Sequence, residues 1–368
     1  MRPDFSREVS CVLGLPFDNV SEEEAEHLLR RAVQTRTRCF LSTPNLNFAI
    51  GCLNDPQFRQ SVLDSDLSVA DGWPIVAIAR LTGAAVAQRV TGSGLFARLE
   101  RSTQRPAVSV FLFGGPDGAA GQACSRLNAA PAGVTCVGFD SPGFGTIEQL
   151  SSNEQLARIN AANADFVVVA LGAQKGQAWI RRNLDRINAP VVSHLGAVIN
   201  FAAGTVARAP DWIQNLHLEW LWRVKEEPLL WRRYARDGIA LLRLLATRVL
   251  PFALDQWFAR VDHQAAARAV AHLRPEANGS VLLTLEGGWT RANVAKLRPL
   301  LSQASETDGA VIVNLTQTVR IDSAAIAQLM LLQAWLVRNG RAWRISGASS
   351  RVRRSLRLAC ADYLLDPV

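Results

Sequence analysis

Asp71 closes the apolar run Leu67–Ala70 and precedes Gly72, which places a carboxylate at the end of a strand, facing a cleft. A carboxylate there can take a proton from an attacking hydroxyl, although Asp-Gly is also ordinary turn chemistry. Arg89, in AQRVTGSG (87–94), stands just ahead of Thr91-Gly92, and its planar fork suits a diphosphate or a surface ion pair. Thr43 and Asn45, in FLSTPNLNFAIG (40–51), set a hydroxyl and an amide at a turn. They can meet sugar hydroxyls, a phosphate or a uracil edge, or simply cap the next helix.

Gly114 and Gly115 open the turn in FLFGGPDGAAGQA (111–123), a strand followed by a glycine-rich turn and a helix start. Backbone N–H groups in such a turn favour phosphate. Neither GxGxxG nor the GxxxxGKS/T loop is present, so the turn points to a nucleotide-type ligand and not to NAD. Gly172, Gln174, Lys175 and Gln177 repeat the pattern in ALGAQKGQAWI (170–180), and 138–145 and 194–212 add two further small-residue loops.

Loops with these contents need strands that end along one edge. Val9–Leu15, Arg38–Ser42, Val108–Phe113, Val134–Phe139, Phe166–Leu171 and Val191–Leu195 are β-rich runs, most of them followed by a turn and a helical pattern. Ser21–Thr35 is a helix whose Ser21 and Glu24 form a capping box. This alternation predicts a layered α/β domain with a largely parallel sheet, whose ligands sit beyond the carboxyl ends of the strands. Residues 207–260 differ: five of the ten tryptophans lie there, mixed with arginines. Ile239–Leu250 reads as a leucine-rich helix that Pro251 ends. Residues 261–275 read as a linker. In 276–368, strands at Val281–Leu285, Ala310–Leu315 and Arg341–Ser346 alternate with helices at Ala292–Ser305, Ser323–Asn339 and Ser349–Ala361, a second small α/β unit.

Composition narrows the class. The 368 residues are 49 % hydrophobic and 20 % charged, which excludes a mainly disordered chain. Forty Lys+Arg against 32 Asp+Glu leave a net charge of +8, and only Lys175, Lys225 and Lys296 are lysines. An arginine-based excess suits phosphate and carboxylate partners without choosing among them. The six cysteines form no CxxC pair and no cluster with histidine, which predicts buried or free thiols, with neither a zinc site nor a disulfide framework. The N-terminus lacks the apolar stretch of a signal peptide, and no run reaches the ~18 apolar residues of a spanning helix. A cytoplasmic protein touching a membrane without crossing it is expected.

The order TPNLNF, ADG, QRVTG, FGGPDG, SPGFG, LGAQKGQAWI, FAAGTVARAPDW, LEWLWRVKEEP resembles the WecG/TagA/CpsF family of bacterial glycosyltransferases over about residues 9–250. The resemblance implies a Rossmann-like transferase domain (1–206) with a basic, Trp-rich appendage (207–260) that closes over the active site and contacts the membrane. It implies inverting transfer of an N-acetylmannosamine-, glucose- or glucuronate-type sugar from a UDP donor to an undecaprenyl-diphosphate-linked saccharide. The catalytic base then falls on Asp71, and substrate contacts fall on Thr43, Asn45 and Arg89. The appendage adds Arg208, Arg223, Arg232 and Arg233. Gly94 stands where the family has Asp, and its Pro-Lys-Gln-Glu reads Gln174-Lys175-Gly176-Gln177, so its glutamine is either shifted to Gln177 or missing. With arginines facing the leaving diphosphate, no metal or other cofactor is expected to be required.

The segment from VLLTLEGGWTRAN onward resembles a STAS domain over about 276–366, chiefly at the strand–IDS–helix junction. Ser323 occupies a position phosphorylated in one STAS subfamily, and it also suits a helix N-cap. A protein partner through this unit is expected, and no nucleic acid. The rival expectation is a catalytically degenerate transferase that serves as a STAS-based scaffold or regulator.

Overall fold

The computed structural model describes residues 3–207, 209–210, 212–213, 219–226, 230–258, 268–277 and 279–367. The first unit opens with a hairpin, β1 (Val9–Val12) and β2 (Leu15–Asp18), paired antiparallel. The expected single strand Val9–Leu15 is thus broken, because Leu13 and Gly14 take φ of 49° and 77° and turn the chain back. Glycine is required at 14 twice over, since a Cβ there would also lie 2.3 Å from the Cys360 carbonyl oxygen.

The helix α1 (Glu22–Thr35) follows, and its Ser21–Glu24 capping box forms as expected. Then come β3 (Cys39–Ser42), α2 (Leu46–Asn54), α3 (Pro56–Leu63), β4 (Leu67–Ser68), α4 (Trp73–Thr82), α5 (Gly92–Arg101) and β5 (Val108–Gly114). The unit continues through α6 (Ala119–Ala129), β6 (Val134–Asp140), α7 (Asn153–Ala161), β7 (Phe166–Ala170), α8 (Ala173–Asn183), β8 (Val191–His194) and α9 (Val198–Ala203).

Six strands form one parallel sheet in the order β4-β3-β8-β7-β5-β6. Strands such as β7, FVVVA, are apolar throughout because helices cover both faces of the sheet. One face carries α1, α5, α6 and α9 over Leu29, Leu95, Val110 and Val168. The other carries α7 and α8 over Phe40, Phe113 and Trp179, whose indole stacks on Phe113 at 4.4 Å. The chain runs outward to β4 at one edge and to β6 at the other, so the strands it leaves in the middle open a crevice at their carboxyl ends.

Cys124 and Cys136 are joined by a disulfide, contrary to the expectation of free thiols throughout. Twelve residues apart, they meet because α6 packs against β6, which brings their Cα atoms to 5.1 Å. Cys11, Cys39, Cys52 and Cys360 are free and buried, as expected.

The appendage consists of α10 (Glu219–Glu226), α11 (Leu230–Leu244), a π-helical turn (Leu245–Val249) and α12 (Leu250–Phe258). Pro251 does not end the helix. The Leu250 N–H reaches back five residues to the Leu245 carbonyl, and this wider turn makes room for a proline ring just after it. The result is one nearly continuous helical rod of about 43 Å, at 1.5 Å per residue.

The second unit begins earlier than the sequence suggests, since β9 (Val270–Pro275), inside the expected linker, pairs antiparallel with β10 (Val281–Trp289). Alongside β10 lie β11 (Val311–Asn314), β12 (Thr318–Ile321) and β13 (Trp343–Ser346), in the order β12-β10-β11-β13. The helices are α13 (Arg298–Glu306), α14 (Ser323–Arg338) and α15 (Ser350–Leu358). The helix α14 is buried along most of its length because it packs on the β1–β2 hairpin as well as on its own sheet. Phe5, Val9, Cys11, Leu63 and Phe252 therefore share one core with Leu283, Trp289 and Leu329. The Tyr363 hydroxyl donates to the Gly14 carbonyl at 3.0 Å, and Gln328 Nε2 donates to the Arg7 carbonyl at 3.0 Å.

Candidate active site

Three loops meet at Asp71. Its N–H donates to the Pro44 carbonyl at 3.1 Å, tying the β4 loop to the Thr-Pro-Asn turn after β3. The Val90 N–H donates to the Ala70 carbonyl at 2.9 Å, bringing in the Arg89 segment. Thr43 is buried beside Gly92, where a Cβ would lie 3.2 Å from its hydroxyl oxygen. Asn45 caps α2, with its side-chain oxygen accepting the Phe48 N–H at 3.1 Å, so its helix-capping role is realised.

Burial is the largest influence on the Asp71 carboxyl and pushes its pKa up to about 6. Arg89, the Gly92 N–H and Arg223 act in the opposite direction, while Glu219 adds to the rise. Arg89 Nη2 is itself paired with Glu219 Oε1 at 2.9 Å. Glu219 and Arg223 both belong to α10, so the appendage reaches the Asp71 site with one charge of each sign. It is held on a second side as well: Asn47 Nδ2, in α2, donates to both oxygens of buried Asp237, in α11, at 3.1 and 3.2 Å.

The glycine-rich turns line the same edge of the sheet. Gly114 has φ of 96°, and a Cβ on it would lie 2.6 Å from the Ala170 carbonyl oxygen. The Gly115 N–H donates to that oxygen at 2.9 Å, so the glycines let the ends of β5 and β7 close together. Gly172 precedes α8 with open space at its Cβ position and no side-chain cap, leaving the first backbone N–H groups of α8 free of one. Gln174 and Lys175 bond within the protein, to Asp55 and to the Gly145 carbonyl.

The remaining site candidates have partners of their own or lie outside the described residues. Gln177 is 0 % exposed and its Nε2 donates to Ser42 Oγ at 3.0 Å, so it locks α8 to β3 instead of lining the crevice. Arg232 and Arg233 lie on α11 against the rings of Trp231 and Tyr234, at 5.9 and 5.1 Å. Arg208 lies outside the described residues. Ser323 is 5 % exposed in the first turn of α14, and the cap is Asp322, which accepts the N–H groups of Ala324 and Ala325 at 2.9 and 3.0 Å. In this docked arrangement Ser323 offers neither a cap nor a hydroxyl open to modification.

His194, at the carboxyl end of central strand β8, is a residue that the sequence reading passes over. It is 7 % exposed, burial lowers its pKa to about 4, and its Nε2 has no hydrogen-bond partner. Its ring explains Gly176, because a Cβ at 176 would lie 2.2 Å from His194 Cδ2. Gly94 lies against the cap of α5: its N–H donates to Thr91 Oγ1 at 2.9 Å, and a Cβ there would lie 2.6 Å from that oxygen. The His194 contact is not between sequence neighbours, so no local signal could have revealed it. Among the described residues no group of three or more His, Cys, Asp or Glu side chains is placed to hold a metal ion.

Comparison with known proteins matches the two units. The chain is 25 % identical over 207 residues to an N-acetylglucosaminyldiphosphoundecaprenol N-acetyl-beta-D-mannosaminyltransferase of Bacillus spizizenii, covering 56 % of this chain and 79 % of that one. A protein of the same name from Bacillus subtilis is 26 % identical over 208 residues, with the same coverage. A GTP-binding protein of Sulfolobus solfataricus has a TM-score of 0.19 at 11 % identity, covering 71 % of this chain and 90 % of that one, and carries no argument. Residues 273–366 match the Mlab, STAS domain family, in agreement with the small second unit. Residues 10–253, spanning the parallel-sheet unit and most of the appendage, match the WecG/TagA/CpsF family model, and the chain belongs to that family of glycosyl transferases.

Proposed function

We propose that this chain transfers a sugar, with N-acetylmannosamine the first choice, from a UDP donor to a saccharide on undecaprenyl diphosphate, inverting the anomeric centre. The acceptor class and the choice of sugar follow the names of the two Bacillus relatives. The observation that carries the reading is the Asp71 carboxyl, pushed up to about 6 at the junction of three loops with Arg89 beside it. As the acceptor oxygen forms its bond to the anomeric carbon, Asp71 accepts the hydroxyl proton, and the bond from that carbon to UDP breaks. Arg89 and Arg223 supply positive charge for the departing diphosphate once Arg89 exchanges Glu219 for phosphate oxygens. Free N–H groups at the start of α8 offer a further place for it. In this reading the protein's own cations do the work, and no metal is required.

The appendage supports work at the inner face of the cytoplasmic membrane. Trp231, Ala235, Ile239, Leu242, Ala246, Leu250, Leu254 and Trp257 are exposed at helical spacing along one side of the rod, with Arg232, Arg236 and Arg243 exposed beside them. Tryptophan at both ends of an apolar stripe flanked by arginines suits a helix lying in the headgroup layer. No helix among the described residues is long and apolar enough to cross a membrane. The scaffold alternative draws on Gly94 and Gly176, and the second of these positions is accounted for by packing against the His194 ring.

Acceptor-dependent UDP release from a panel of UDP-sugars tests the reading. Release from one donor, lost in Asp71→Asn, is expected. UDP binding with no release from any donor would favour the scaffold.

A further inference from the structure

The second half of the exposed rod is built into the second unit. Phe252 sits in that unit's core, and Arg320 of β12 holds Gln256 through Oε1 at 2.8 Å and its carbonyl at 3.2 Å. The helix α15 packs directly against the π turn and α12. Arg248 donates to the Arg357 carbonyl, and Ser355 Oγ donates to Asp255 Oδ2 at 3.3 Å. Val352, Ser355 and Leu356 face inward, while Arg351, Arg353, Arg354 and Arg357 are exposed. Among the described residues no carboxylate pairs with any of these four arginines. The helix beside them exposes Leu250, Leu254, Trp257 and Phe258.

An apolar ridge and a basic helix are thus fixed side by side. Each lacks what the other supplies. Arginines alone would suit any polyanion, and an apolar ridge alone would suit any greasy surface. The pair together matches a layer with phosphates outside and hydrocarbon immediately beneath. Nucleic acid would leave the ridge in water, and an acidic protein would have to present carboxylates and an apolar groove at one spacing.

We infer that α15 is the electrostatic half of a membrane-docking surface whose apolar half is α12, and that its partner is an anionic lipid bilayer. The STAS unit is then part of the enzyme's footing on the membrane, in addition to any protein it binds. This rests on the membrane reading of the appendage given above and extends it to the second unit.

Vesicle sedimentation of the full chain tests it, comparing wild type, Arg351→Gln/Arg354→Gln/Arg357→Gln, and Leu254→Ser/Trp257→Ser. Arg353 is left in place because its Nε bonds the Ala348 carbonyl at 3.0 Å. The three chosen arginines point to solvent, and unchanged melting curves will show that the fold survives. On phosphatidylcholine vesicles containing phosphatidylglycerol, the arginine variant should bind more weakly by roughly one to two orders of magnitude. On pure phosphatidylcholine it should match wild type. The Leu254/Trp257 variant should lose binding to both. Wild-type binding of the arginine variant to anionic vesicles, with the apolar variant impaired, would overturn the role of α15 and leave the appendage reading standing. No binding of wild type to either vesicle would overturn both.

Discussion

Replacing Glu219 by Gln isolates the electrostatics of the proposed base. The Asp71 carboxyl stands about two pKa units above an ordinary aspartate, from 3.8 to about 6. At about 1.4 kcal/mol per unit, that is a preference for the neutral form of roughly 3 kcal/mol. Burial is the largest part of it, and the Glu219 charge is a smaller part of the same sign. A general base works when unprotonated, so transfer should fall about tenfold per pH unit below about 6 and level off above it. Glu219→Gln removes a like charge and should move this limb down. Arg89→Gln removes the opposing cation and should move it up, while also weakening donor binding. Single-turnover transfer from pH 4.5 to 8 keeps chemistry visible. A limb near the ordinary aspartate value in wild type, or the same shift in both variants, would refute the reasoning.

Three further outcomes follow from the same geometry. Gly176→Ala puts a methyl 2.2 Å from the buried His194 ring and should cost about 1–3 kcal/mol in urea unfolding, largely recovered by adding His194→Ala. Full stability of the single variant would contradict the close packing. Asp237→Ala strips Asn47 of its partner and should loosen α11 from α2, read as faster proteolysis of the appendage while the sheet domain resists. Excess EDTA should leave the transfer rate unchanged, and a rate restored only by added divalent metal would contradict the proposed role of the arginines.

How much was visible in the sequence depends on whether the signal was local. The parallel sheet was legible because each strand is a short apolar run ended by turn residues, as in Phe166–Ala170 followed by Leu171-Gly172. The Ser21–Glu24 cap was legible for the same reason. The Thr43, Asp71 and Arg89 cluster could be proposed from the resemblance of the ordered TPNLNF, ADG and QRVTG motifs to the WecG/TagA/CpsF family, since each motif alone also reads as turn or surface chemistry. The π turn that carries the helix past Pro251 was not legible, since a proline normally argues for a stop. β9 was missed because its partner strand, and not its own pattern, defines it. Gln177, His194 and the docked face of α14 are tertiary facts. They depend on contacts with Ser42, Gly176 and the β1–β2 hairpin, which lie far away in the chain.

The central claim is that Asp71 takes the acceptor's proton during transfer from a UDP-sugar. Its most direct test measures sugar transfer to an N-acetylglucosaminyl-diphospho-lipid acceptor, with UDP affinity followed in parallel, for wild type and Asp71→Asn. The account predicts that the variant binds UDP as wild type does and forms product at least a hundredfold more slowly, within the roughly 10²–10⁴ expected of a general base. Transfer by Asp71→Asn at the wild-type rate would contradict it.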